Sequence, residues 1–446
     1  MGVRALRAAY RAGTLRPLTV VEDVLARIAS RGDDAVWISV AAAADLRRRA
    51  AELEGRDPLD LPLYGIPVGV KDNIDVAGLP TTAACPDFAY TPAVDACSVR
   101  LLREAGAIIV GKTNLDQFAT GLNGTRSPYG APESVFGGDL ISGGSSSGSG
   151  VAVAAGIVPV ALGTDTAGSG RVPAALNGIV GLKPSRGLVG ASGVVPACRS
   201  LDCVSVFTRD LADAATVLEV LAAPDPADPW SRTGTPATSG LRLAVPEGLD
   251  FGRGDGTVDE PMAAAFAQVV EAALRRVPGF VRTGVGPLRE AGDLLYGGAW
   301  VAERLAVLED FLGTDAEVLP VTRSVIERGA EFSAVDAFRG LHRLQELKAW
   351  AARLFETADV LLLPTVPTTF TRAQMHDDPV GNNLVLGRYT QFTNLLDLAA
   401  VAVPAGFTAD GRPCGATLVG PAFSETRLLA AAAALVPEGF MTVEVS

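Results

Sequence analysis

Residues 98–119, SVRLLREAGAIIVGKTNLDQFA, read as a helix, a glycine turn, a short apolar strand (AIIVG) and a second helix. A buried strand bracketed by helices at that spacing needs a sheet with helices packed outside it, which points the first half of the chain to an α/β architecture. Neighbouring stretches agree. TVVEDVLARIAS sets Thr19 three residues before Glu22, the spacing of a capping box, and continues with apolar residues at helical intervals. LYGIPVGVKDNI reads as a strand that stops at the polar trio Lys71, Asp72 and Asn73. Later, LRLAVPEG, DVLLLPTVP and AAVAVPAG read as short strands, and MAAAFAQVVEAALRRV, GAWVAERLAVLEDFL and AFRGLHRLQELKAWAARLF as helices.

The Pro-, Ser-, Thr- and Gly-rich residues 223–240 could join two domains. Because a strand follows at once, a single domain over 1–446 with a surface loop at 223–240 is the preferred reading. Within it lie a helical segment at about 1–60, a core at about 62–215 and a second half at 241–446. No internal repeat is present.

Composition removes several function classes. A formal charge of −12 argues against a nucleic-acid surface and towards small-molecule substrates. No apolar run is long enough to span a bilayer, and MGVRALRAAYRAG lacks the apolar region of a signal peptide, so a cytoplasmic protein is expected. Cys85, Cys97, Cys198, Cys203 and Cys414 form no CxxC pair, which signals neither zinc nor a disulfide framework and leaves reduced thiols. The only histidines are His342, in a helical pattern, and His376, in a polar loop, so a Ser-His-Asp site would have to recruit one from far away. Arginine supplies all but four of the 38 basic residues, and three of those four lysines, Lys71, Lys112 and Lys183, fall between residues 71 and 183. An amine can lose its proton where a guanidinium effectively cannot.

The run GGSSSGSG at 143–150 leads straight into VAVAAGIVPVALG, which must be packed, so it does not read as a linker. It is no phosphate loop either, since no lysine occurs between 113 and 182. A loop through which backbone and hydroxyls approach a ligand remains. A second such loop, GTDTAGSGRVP at 163–173, turns at Gly168 and Ser169. Its successive N–H groups would suit an anion or a developing oxyanion, with Ser169 a nucleophile; a turn that merely solvates a strand end is the other reading.

The segments GVKDNI, GGSSSGSG and GTDTAGSGRVPAALNGIVGLKPSRG resemble, in order and spacing over 62–190, the amidase signature family of serine amidohydrolases. The likeness continues through DVLLLPT and NLLDLAAVAVPAGF to about residue 430. It implies an α/β/α sandwich with a large twisted mixed β-sheet and a metal-free, cofactor-free Ser-cisSer-Lys triad. Motif by motif, Lys71 is the base, Ser146 the bridging serine in a cis peptide and Ser169 the nucleophile. The N–H groups of Thr166, Ala167, Gly168 and Ser169 form the oxyanion hole. Two departures stand out: Ser147 and Ala167 occupy positions where the family often has glycine. Asp165 and Arg171 are assigned a structural role, fixing the signature loops.

Within the family, TNLDQFATGLNGTRSPYG, GVVPACRSLDCVSVF, DPADPWSR and YTQFTNLLDLAAVAVPAGF are most similar to the amidase part of the allophanate hydrolases. That similarity implies a small anionic amide as substrate, hydrolysed to N-carboxycarbamate and ammonia. Its carboxylate would be bound by Tyr296 and Arg304, eight residues apart on one helix face. Gly121, Asn123 and Arg126 would line the same pocket and Ser145 would contact the leaving amide. The C-terminal domain common in that group is expected to be absent, and a homodimer is the assembly allowed for. Carboxybiuret or malonamate as substrate, or the role of an A-type amidotransferase component, are the alternatives.

Overall fold

Strand residues that are apolar at every position, such as VLLLP and LAAVAV, need cover on both faces, and they obtain it here. The structure, a computed structural model, describes residues 1–277 and 279–437; Pro278 and residues 438–446 of the expected 241–446 half lie outside the described residues. The strands are β1 (Trp37–Val40), β2 (Pro67–Lys71), β3 (Ile108–Thr113), β4 (Val160–Asp165), β5 (Val180–Lys183), β6 (Cys203–Thr208), β7 (Leu243–Glu247), β8 (Phe280–Gly284), β9 (Val360–Pro364), β10 (Leu398–Phe407) and β11 (Pro413–Pro421). They form one mixed 11-stranded sheet in the order β1-β3-β2-β4-β6-β5-β10-β11-β9-β7-β8. The β2–β3, β2–β4, β7–β8 and β7–β9 pairs are parallel. The antiparallel pairing of β5 with β10 joins the strands of the two halves.

Alternation along the strands defines the layers, because successive side chains point to opposite faces. Val360 and Leu362 belong to the apolar cluster that also holds residues of the helices Val3–Arg11, Pro17–Arg31 and Glu260–Leu274, whereas Leu361 and Leu363 belong to the one that holds residues of Gly286–Tyr296 and Ala334–Thr357. Helices therefore cover both faces, an α/β/α arrangement. His376 departs from expectation: it lies in the short helix Arg372–Asp377, whose capping box is formed by Thr371 and Gln374. Residues 223–240 form neither helix nor strand, but they are tied down. Asp225 accepts hydrogen bonds from the Ser192 backbone and hydroxyl, and Asp228 from the Ala191 N–H. All five cysteines are buried free thiols. Among the described residues no helix is long and apolar enough to cross a membrane.

Parallel neighbours end at the same sheet edge, and that geometry sets up the site. β2 ends at Lys71 and β4 at Asp165, so the lysine and the turn that follows Asp165 are delivered side by side. The helix Ser147–Ala154, entered through the Gly/Ser run, packs across β2, β3, β4 and β6.

Asp259 anchors the start of the helix Glu260–Leu274. Its carboxylate, 1 % exposed, accepts hydrogen bonds from Arg412 (2.5 and 2.8 Å), Arg253 (3.1 Å), the Thr368 hydroxyl (2.6 Å) and the Met262 N–H (3.1 Å). Burial alone would raise its pKa, but these partners outweigh it and push the carboxyl down to about 2. Its stabilisation is therefore complete above the ordinary carboxylate range and lost as pH falls through about 2. Asp259→Ala should cost about 3–5 kcal/mol in urea denaturation at neutral pH, since Arg253 loses its counter-charge and Arg412 keeps only Asp410.

Candidate functional site

Lys71 is completely buried, and its Nζ lies 2.8 Å from Ser145 Oγ and 2.7 Å from Thr164 Oγ1. Among the described residues no carboxylate is within ion-pairing distance of it. Burial lowers its pKa to about 7; Asp116, Asp202 and Asp165 oppose the shift from further away and Arg304 reinforces it. A lysine in this setting is about half neutral near pH 7 and mostly neutral above it, and in that form it can accept a proton.

The serine beside Lys71 differs from the motif match by one residue. The cis peptide bond joins Gly144 to Ser145, and Ser145, not Ser146, carries the hydroxyl beside Lys71. Ser146 points to the edge of β4, where its Oγ donates to the Thr164 carbonyl at 3.1 Å. Adjacent side chains diverge, so only one serine of the pair can face the lysine. The glycine before it is required by space: a Cβ at Gly144 would lie 2.1 Å from Asp116 Oδ2 and 2.6 Å from the Gly124 nitrogen. Ser147 is the first residue of the helix and has no left-handed φ, so a side chain is tolerated there; its Oγ reaches the Asn114 carbonyl at 3.4 Å.

In the turn after β4, one peptide is held at both ends. Thr390 Oγ1 donates to the Ala167 carbonyl at 2.7 Å, and the Gly168 N–H donates to Asp165 Oδ1 at 2.8 Å. That second bond corrects the expected oxyanion hole, because the Gly168 N–H is already committed to a carboxylate. Among the described residues the N–H groups of Thr166, Ala167 and Ser169 have no partner and remain free to donate. Gly168 has φ +133° and a Cβ there would meet Thr390 Oγ1 at 2.3 Å, whereas Ala167 has no left-handed φ and accommodates its methyl. Ser169 is 2 % exposed, and among the described residues its hydroxyl makes no hydrogen bond. Asp165 also receives Gly170 N–H (3.1 Å) and both arms of Arg171 (2.8 and 2.9 Å). Arg171 continues to Thr393, and Asn394 donates to the Asp165 carbonyl.

Tyr296 and Arg304 do not share a helix. Tyr296 ends the helix Gly286–Tyr296 and Arg304 sits in Trp300–Leu312, with Gly297 and Gly298 between. The pair meets all the same: Arg304 Nη2 donates to the Tyr296 hydroxyl at 3.3 Å, and the guanidinium lies 5.3 Å from the ring centroid. Its Nη1 donates to Thr120 Oγ1 at 3.0 Å and its Nε has no partner, although the residue is only 2 % exposed. Among the described residues no carboxylate pairs with it.

The remaining expected lining residues divide. Arg126 is buried and donates to the Thr120 carbonyl at 2.8 Å and to the Pro379 carbonyl. Asn123 is used up structurally: its Oδ1 accepts from Thr125 N and Oγ1, and its Nδ2 donates to Asn383. Gly121 leaves room for the Asp116 carboxylate, which a Cβ would approach to 2.5 Å. Asp116 accepts the N–H groups of Asn123, Gly124 and Arg126, and its own N–H donates to the Ser145 carbonyl at 3.0 Å. Both histidines are exposed. Sequence reasoning missed Asp116, Thr164, Thr390 and Asn394, which act through neighbours brought in by the fold.

The amidase family profile matches residues 19–429. The chain is 48 % identical to the urea amidolyase of Saccharomyces cerevisiae over 406 residues, which is 89 % of this chain and 22 % of that protein. It thus spans about a fifth of the length of the urea amidolyases it matches. It is 36 % identical to the A-type component of the glutamyl-tRNA(Gln) amidotransferase of Symbiobacterium thermophilum, covering 95 % of this chain and 94 % of that one. Among solved structures, the allophanate hydrolase of Kluyveromyces lactis superposes with a TM-score of 0.92 at 40 % identity, over 99 % of this chain and 74 % of that one.

If Lys71 is the base, its neutral form must predominate for turnover. The kcat/KM of amide hydrolysis should then fall about tenfold per pH unit as pH drops below about 7 and level off above it. Ser145→Ala should lower kcat by at least about a hundredfold and Ser146→Ala by less than about tenfold, measured by ammonia release; the reverse order would return the bridging role to Ser146.

Proposed function

The chain belongs to the amidase family, and from that premise we propose that it is a serine amidohydrolase acting on the terminal amide of allophanate, through Ser169, Ser145 and Lys71. The observation that carries the substrate class is Arg304: a buried guanidinium with no carboxylate partner among the described residues, next to a tyrosine hydroxyl and close enough to Lys71 to affect its titration. Asp202 and Glu303 act on the guanidinium only from beyond ion-pairing distance, and a substrate carboxylate would supply a direct partner, bound by Arg304 and Tyr296. The match to an allophanate hydrolase over nearly the whole chain supports the same reading.

In the proposed reaction Ser169 Oγ attacks the terminal amide carbonyl while its proton passes to Ser145, whose own proton passes to Lys71 Nζ. The oxyanion faces the N–H groups of Thr166, Ala167 and Ser169. Collapse breaks the C–N bond, and the proton returned from Lys71 leaves with ammonia. Water, deprotonated along the same relay, then cleaves the acyl-enzyme and releases N-carboxycarbamate. The reading includes a single domain and a cytoplasmic setting, which suits five unpaired thiols, and the charge of −12 speaks against a nucleic-acid partner.

The near full-length match to an A-type amidotransferase component supports a second reading, activity only within a complex. Purified protein decides between them: ammonia release from allophanate without a partner is expected, and its absence would sink the leading proposal. Ser169→Ala should abolish that release. Arg304→Leu should lower kcat/KM for allophanate about a hundredfold more than for propionamide; equal losses would remove its carboxylate role.

A further inference from the structure

Tyr296 forms part of the wall of a cavity of about 310 Å³, together with Arg126, Asn383, Gln391, Arg328 and, on its exposed side, Asp293. Thr120 links it to the catalytic centre, its hydroxyl accepting from Arg304 and its carbonyl from Arg126. Two buried guanidiniums thus converge on one residue, and among the described residues neither has a carboxylate within ion-pairing distance. Arg126 is 4 % exposed and its Nε has no partner; Gln391 is 6 % exposed and its Nε2 has none either. The acidic side chain that acts on Arg126, Asp116, is already occupied by three backbone N–H groups. A small ligand confined to Arg304 would leave two buried donors, Arg126 Nε and Gln391 Nε2, unsatisfied, a cost of the kind that a ligand normally relieves. The cavity has room for several waters, and so for a carboxylate with its adjoining methylenes.

We propose that this cavity is a second carboxylate subsite, next to the one at Arg304, where Arg126 and Gln391 hold the far carboxylate of longer linear monoamides of dicarboxylic acids. It rests on the amidohydrolase reading, with the amide placed at Ser169. A three-carbon acid amide, spaced like allophanate, reaches Arg304; a five-carbon one extends past Tyr296 to Arg126 and Gln391. Gln391 adjoins Thr390, whose hydroxyl holds the Ala167 carbonyl.

Calorimetric binding to Ser169→Ala protein tests this without requiring turnover, so a failure with allophanate as substrate would leave it standing. Glutaramate and malonamate are both expected to bind. Gln391→Glu, which sets a negative charge against the far carboxylate, should weaken glutaramate at least about tenfold relative to malonamate, and Gln391→Leu should do so to a smaller degree. Failure of glutaramate to bind, or equal weakening of both ligands in both variants, would overturn the subsite.

Discussion

The site depends on the buried ion pair between Asp165 and Arg171. Asp165 ends the central strand β4 and accepts four hydrogen bonds from the turn that follows, two from backbone N–H groups and two from the arginine. Burial works against a charged carboxylate, yet these partners hold its pKa below the ordinary value. The arginine then reaches across to Thr393 and Asn394. A single carboxylate thereby bends the chain after β4, commits the Gly168 N–H and fastens the turn to the C-terminal half. Such a pair adds little net stability over a well-packed apolar alternative; what it provides is one defined geometry.

The buried lysines show how partner type sets reactivity. Lys112 lies 3.1 Å from the Asp72 carboxylate and 2.8 Å from the Thr81 hydroxyl. Lys183 donates to the Pro184 carbonyl at 2.7 Å. Lys71 sits among hydroxyls alone, and with no adjacent charge to repay desolvation, its pKa falls to about 7. Arg304 adds to the effect, so the residue proposed to bind the substrate carboxylate also helps keep the proposed base neutral.

What is legible in the sequence follows from this division between local and long-range causes. Strands β2, β3, β7, β9 and β10 can be read because short apolar runs ended by turn or polar residues have few alternatives, and Lys71 stands out because lysine is scarce. The two halves of the sheet cannot be joined from the sequence, since the β5–β10 pairing links distant segments. Ser145 and Ser146 are indistinguishable in a run of serines; the choice is made by Asp116 crowding Gly144 and by the edge of β4 taking Ser146. Gly168 has the look of an oxyanion donor in sequence, but in the fold Asp165 takes its N–H. The break between Tyr296 and Arg304 is hidden in the pair Gly297-Gly298, where spacing alone suggests one continuous helix.

The clamp on the turn after β4 also bears on the order of assembly. Lys71, Ser145 and Ser169 all lie in the first 169 residues, yet the groups that fix the turn, Thr390, Thr393 and Asn394, come more than 220 residues later. Chains are made from the N-terminus, so a growing polypeptide long carries the reactive hydroxyls without the contacts that align them. The turn that carries Ser169 is therefore clamped only once the last third docks, and until then its geometry is not fixed.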